Sequence, residues 1–275
     1  MVLLSHIVDR YRARLVLAKY KAKKVLDSGT TVYTYSERQI ANRNKKKEEK
    51  LAKLGKNIEK LRSKVTKDLK SKDPETMLTA LVISLLDHTA ERIGNPESAK
   101  GNRNEDGEPH FGVTGWQKQH VSFSGKGATI KYVGKSGVKH EKIVTDPAIK
   151  KALKDAYEAA DGDESDLFSW DGGKVTAAKV NAYLKDFDIT AKTLRGHHAN
   201  SYMREALKKF RSSGKKLPED KKAREKILKA EWKRALDEAA EKVGHEPNTL
   251  SGDYLVPGLE EAYLKDGSIP EPGDK

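Results

Sequence analysis

The chain has 275 residues, 36% of them hydrophobic, enough for one large domain or two modest ones with a buried core. Its 54 Lys and Arg against 41 Asp and Glu give a net charge of +13, which points to a polyanionic partner, with nucleic acid ahead of a membrane surface. There is no cysteine, which excludes disulfides, thiolate nucleophiles and cysteine-containing zinc sites, so covalent chemistry must use oxygen or nitrogen.

Residues 1–30 read as helix through "IVDRYRARLVLAKYKAKKVL" and end in "DSGTT", so residues 1–40 are expected to form a short N-terminal helical segment. The opening "MVLLSHIV" lacks the layout of a signal peptide, and the longest apolar run, "LVISLL", is too short to span a bilayer. These features predict an intracellular or packaged protein with no membrane partner. Residues 40–72 carry 13 Lys and Arg and four acids, a net +9, and include Lys45, Lys46 and Lys47. Leu51, Leu54, Ile58, Leu61, Val65 and Leu69 recur there at spacings of three and four. The stretch is therefore an amphipathic helix, docked by its apolar stripe with its lysines outward. Asp73-Pro74-Glu75 is a helix start, with Asp as N-cap and Pro in the first position. The helix that follows, "MLTALVISLL", is apolar nearly all round. Gly94 in "HTAERIGN" can supply its stop, which places Arg92 at the helix C-terminus, where a cation also has a purely structural reason to sit.

Between residues 110 and 145 the period changes to two. "HVSF", "ATIKYV" and "KHEKIVT" read as a three-stranded antiparallel meander, with turns at "GKG" and "GKSG" that carry Lys126 and Lys135. Helices are expected again at roughly 148–159, 174–187, 191–211 and 217–243. Arg195 falls in the first turn of its helix, where a cation opposes the macrodipole, a local cost that favours a functional role. His197 and His198 have no Cys or acidic pair at ligand spacing and read as structural or DNA-facing, so no metal is expected. His245 and Tyr254 follow, nine residues apart in "EKVGHEPNTLSGDYLVPGL", and residues 266–275 should be a disordered tail.

The segments "HTAERIGN", "YVGKSGVKHE", "ITAKTLRG" and "EKVGHEPNTLSGDYLVP" resemble the type IB DNA topoisomerases, most closely the compact poxvirus and bacterial kind, over roughly residues 40–265. The resemblance implies an α+β, mainly α fold: a helical catalytic domain over residues 41–265 with a small three-stranded antiparallel sheet. It implies Arg92, Lys135, Arg195 and His245 as a catalytic tetrad and Tyr254 as the nucleophile. The implied activity is supercoil relaxation through a 3′-phosphotyrosyl intermediate, without metal, ATP or other cofactor. The chain has no GxxxxGK[ST] stretch, which agrees with the lack of a nucleotide-driven motor. Double-stranded DNA is the expected partner of a monomer, contacted by Lys126, Lys192, His197 and Lys45 to Lys47. Two other readings are a tyrosine recombinase and an inactive DNA-packaging protein. Recombinases carry a histidine where "KTLRG" has Lys192. Relatives also carry a β-rich N-terminal domain that closes over DNA, whereas the segment preceding the catalytic region here reads as helix.

Overall fold

A computed structural model describes residues 20–27, 29, 31–95, 109–212 and 216–271. The expectation for residues 1–19 lies outside these. The chain divides into two compact units, residues 1–49 and 50–275.

In the first unit, strands β1 (Tyr20–Val25) and β2 (Thr31–Tyr35) pair antiparallel. The helix expected through residue 30 is therefore replaced by a hairpin from residue 20 onward. "TVYTY" is a β-branched and aromatic run, and it gives "YKAKKV" a partner across the Gly29 turn, where φ is +76°; that pairing outweighs the helical propensity of the lysines. Helix α1 (Glu37–Asp68) begins in this unit, and the Arg43 guanidinium lies 5.0 Å from the Tyr35 ring centroid.

In the second unit the rest of α1 buries Leu51, Leu54, Ile58, Leu61 and Val65, the stripe its spacing predicts. Helix α2 (Pro74–Thr89) starts as expected, with the Asp73 side chain accepting from the Thr76 amide and Pro74 in the first turn. It is buried continuously from Leu78 to Leu86. Strands β3 (Val121–Ser124), β4 (Gly127–Val133) and β5 (Lys139–Val144) form the predicted meander. Helix α3 (Pro147–Ala159), the short hairpin β6 (Ser169–Trp170) and β7 (Gly173–Lys174), and helix α4 (Ala177–Lys185) complete the first half. Helices α5 (Ala191–Ser212), α6 (Lys221–Val243), α7 (Pro247–Asp253) and α8 (Leu259–Asp266) make the second. With 59% of the described residues helical and small antiparallel sheets, the fold is α+β and mainly α.

Two apolar clusters hold this unit together. One joins α1, α2, the meander, α3 and α4 and ends at Leu194; the other runs from Ala199 through α6, α7 and α8. Helix α5 belongs to both, and Arg195 sits where they meet. The tail departs from the expected disorder up to residue 271. Ile269 packs on the second cluster, the Arg204 Nε donates to the Pro270 carbonyl at 3.0 Å, and Glu271 pairs with Arg204 and Lys208 at 3.5 and 3.3 Å. A buried arginine needs acceptors, and the tail supplies one. Residues 272–275 lie outside the described residues.

Candidate active site

Arg92 is not at a helix end. Helix α2 stops at Thr89, because Ala90 turns into the left-handed region with φ +56°, and the chain then leaves the helix axis. Residues 92 and 93 instead dock on the turn Val113–Gly115: the Val113 amide donates to the Arg92 carbonyl at 2.9 Å, and the Thr114 amide to the Ile93 carbonyl at 2.8 Å. Gly94 serves this docking and not the helix stop. A Cβ there would lie 2.6 Å from the Gly112 Cα, so only glycine allows the two backbones to meet.

Arg195 is 3% exposed. Its guanidinium does not face its own helix N-terminus, as its sequence position suggests. It crosses to the C-terminal end of α6, where Nη2 donates to the Val243 carbonyl at 2.9 Å, a place where a cation complements the macrodipole. Its Nε and Nη1 are buried with no hydrogen-bond partner among the described residues. Burial pushes this guanidinium down from its ordinary value.

Helix α6 ends at Gly244, in the left-handed region with φ +69°, and the His245 amide returns to the Ala240 carbonyl at 2.9 Å. That glycine cap delivers His245 beside Arg92: Arg92 Nη2 donates to His245 Nε2 at 2.6 Å. Pro247 opens α7, and Tyr254 closes it. The Tyr254 ring is 5.5 Å from the His245 ring at 64°, and lies under Arg195 Cζ at 5.8 Å and Lys192 Nζ at 5.3 Å. Its main chain is clamped by buried Asn200, whose Nδ2 donates to the Tyr254 carbonyl at 2.8 Å while its Oδ1 accepts from the Val256 amide at 2.9 Å.

Lys135 is exposed on the turn Lys135–Gly137 between β4 and β5. It lines a groove of about 710 Å³ together with Arg92, His245 and Asp253. Four basic and four acidic side chains border that groove, so its net charge alone does not mark it as an anion site. Arg92, Arg195, His245 and Tyr254 are thus linked by contacts of Arg92 with His245, His245 with Tyr254 and Tyr254 with Arg195, and Lys135 lines the groove that Arg92 and His245 also border.

The candidate DNA contacts are dispersed. Lys192 is exposed and 3.8 Å from Asp253; Lys126 is exposed in the β3–β4 turn; His197 is half-buried on α5. Lys45 and Lys46 are exposed and Lys47 half-buried on the part of α1 in the first unit. His198 is structural, 2.8 Å from Asp87, which also accepts from Arg62. Burial raises the Asp87 carboxyl, but His198 and Arg62 outweigh it and bring it to about 2. Sequence reasoning passed over Glu91, His140 and Asn200. A signal existed for Asn200, which lies one helical turn after Gly196 and five residues after Arg195.

Burial, then the charges of Arg92 and Arg195, lower His245 from 6.5 to about 4. In the free protein its imidazole is neutral near pH 7, with Nε2 accepting from Arg92. An NMR titration should place His245 near 4, and Arg92→Ala should move it upward; no movement in that variant would refute the contact. Burial likewise lowers His120 to about 4. The unfolded chain protonates these histidines near 6.5 and the folded one only near 4, so the unfolded state binds more protons in that window. Stability should accordingly fall as pH drops from about 6.5 to 4, read by denaturant unfolding.

A family model described as the catalytic core of eukaryotic DNA topoisomerase I matches residues 36–253. The match spans Arg92, Lys135, Arg195 and His245 and ends one residue before Tyr254. A search of curated proteins finds no match. The chain belongs to the DNA topoisomerase I family, of type IB, and is an isomerase acting on DNA. DNA is therefore its substrate. No described helix is long and apolar enough to cross a membrane.

Proposed function

We propose that the protein relaxes supercoiled DNA by transient single-strand cleavage through a 3′-phosphotyrosyl intermediate, with no metal or nucleotide. The observation that carries this reading is Arg195: its Nε and Nη1 are buried beside a tyrosine ring with no hydrogen-bond acceptor among the described residues, which leaves both donors for an incoming phosphate. Tyr254 Oη attacks the phosphorus in line, its proton leaves to solvent, and the P–O5′ bond breaks. Lys135 donates a proton to the departing 5′ oxygen. Arg195 and Arg92 donate to the non-bridging oxygens, where charge accumulates in the transition state. Arg92 does so by exchanging its His245 acceptor for phosphate, which frees the imidazole to take up a proton and donate as well. The covalent intermediate conserves the bond energy, so religation by the 5′ hydroxyl needs no ATP. Lys126, Lys192, His197 and the lysines of α1 act as phosphate contacts along the duplex, which the enzyme engages as a monomer.

The test is relaxation of positively and negatively supercoiled plasmid in EDTA without ATP. Both should relax, and the rate should fall steeply with salt because the lysine contacts release counterions. Relaxation only with added magnesium would overturn the metal-independent scheme.

A further inference from the structure

Glu91, the residue before Arg92, is 1% exposed, and a carboxylate so placed is costly unless fully paired. Its Oε2 accepts from the Tyr132 hydroxyl at 2.6 Å and lies 3.8 Å from Arg195 Nη1. Its Oε1 accepts from His140 Nδ1 at 2.9 Å and lies 3.4 Å from Lys142 Nζ. Burial acts to raise this carboxyl, but His140, Tyr132 and Lys142 together hold it below its ordinary value. It is therefore a fixed charge that ties β4, β5 and α5 to the end of α2.

His140 extends the cluster. Its ring stacks on Tyr132 at 4.9 Å and 9°, and fills the space that a side chain would need at Gly134 or Gly244. A Cβ on Gly134 would lie 2.7 Å from its Nε2, and one on Gly244 would lie 2.6 Å from its Cε1. Gly134 precedes Lys135, and Gly244 precedes His245. One buried cluster thus touches Arg195 directly and the residue before each of Arg92, Lys135 and His245.

We propose that Glu91 is a positioning residue of this active site that acts through Arg195, aiming its guanidinium at the scissile phosphate, and that His140 holds the Glu91 carboxylate in place for this. Its manner of holding Arg195 separates this role from that of an ordinary buried ion pair. At 3.8 Å it orients Nη1 by charge without accepting a hydrogen bond from it, and the Val243 carbonyl secures Nη2. Nε and Nη1 stay available to a phosphate. A closer, bidentate carboxylate would consume those donors.

The inference rests on the proposed roles of Arg195 and Tyr254, and the experiment separates the two levels. Covalent-complex formation is measured in single turnover on a duplex carrying a cleavage site mapped in plasmid, for wild type, Glu91→Gln, Arg195→Ala and the double variant. Incubations are long enough to time the slow ones. Glu91→Gln should slow cleavage by about 10²-fold, the scale of a small misplacement of reacting groups, with duplex affinity unchanged. In the Arg195→Ala background the same substitution should add little, because its route to the phosphate is already gone. Equal losses in both backgrounds, as a general weakening of the fold would give, overturn the proposal, as does a wild-type rate for Glu91→Gln. If Glu91→Gln does not fold, Tyr132→Phe, which leaves the carboxylate its His140 and Lys142 partners, is put through the same cycle: non-additivity with Arg195→Ala supports the proposal and additivity overturns it. A wild-type protein that forms no Tyr254-dependent adduct refutes the catalytic reading itself; an active wild type indifferent to Glu91 refutes only this inference.

Discussion

Tyr254→Phe is expected to abolish covalent attachment and relaxation while leaving duplex binding close to wild type. Phenylalanine keeps every contact that seats the residue: the ring beside His245, the cations of Arg195 and Lys192 near its face, and the Asn200 clamp on its main chain. Only the hydroxyl is lost, so a dead and folded variant identifies the nucleophile. Tyr263, nine residues on, is the control. It is fully buried, and its hydroxyl donates to Glu231 at 2.8 Å. Tyr263→Phe should cost about 1.5–3 kcal/mol of stability, the scale of a hydrogen bond to a charged group, and should still cleave. If Tyr263→Phe is the inactive variant, the assignment of Tyr254, and of His245 with it, is wrong.

Lys135→Ala should slow cleavage by roughly 10²–10⁴-fold, the range for a lost proton donor. A lost electrostatic contact would give a similar rate, so the decisive substrate has sulfur in place of the bridging 5′ oxygen. A thiolate departs without a proton, and on that substrate Lys135→Ala should cleave at nearly the wild-type rate. Arg92→Ala and Arg195→Ala should stay slow, since their targets are the unchanged non-bridging oxygens. Failure of the sulfur to restore Lys135→Ala would remove Lys135 as the acid. Lys139, which lines the same groove as Arg92 and His245, would then come ahead of Lys126 in the β3–β4 turn.

What could be read from the sequence was what local chemistry decides. Asp73-Pro74 starts a helix because an N-cap acceptor and a missing amide suit the first turn, and the meander announces itself through alternation and glycine turns. Gly244-His245 likewise reads as a helix end. The failures all have long-range causes. β1 exists because β2 pairs with it, against the helical leaning of "KAKK". The stop at Ala90 follows from where residues 92 and 93 must dock, and no local rule favours a non-glycine residue in the left-handed region there. The helix that carries Arg195 is legible locally, but the end of α6 that its side chain reaches is 48 residues away. Glu91 carries no local signal of its burial, because its partners at 132, 140 and 195 are distant in the chain.

The junction at Arg195 has a kinetic meaning under the proposed scheme. Arg92 and Lys135 are carried by one apolar cluster, His245 and Tyr254 by the other, and α5 is the helix common to both. Once Tyr254 holds the broken strand, the DNA end is tethered to a single side of that junction, while the proton donor belongs to the other. Reversal of the break then depends on the two sides staying in register throughout strand rotation. Slackening between them would leave each half folded and the nick unsealed, so this seam bears on resealing as well as on cutting.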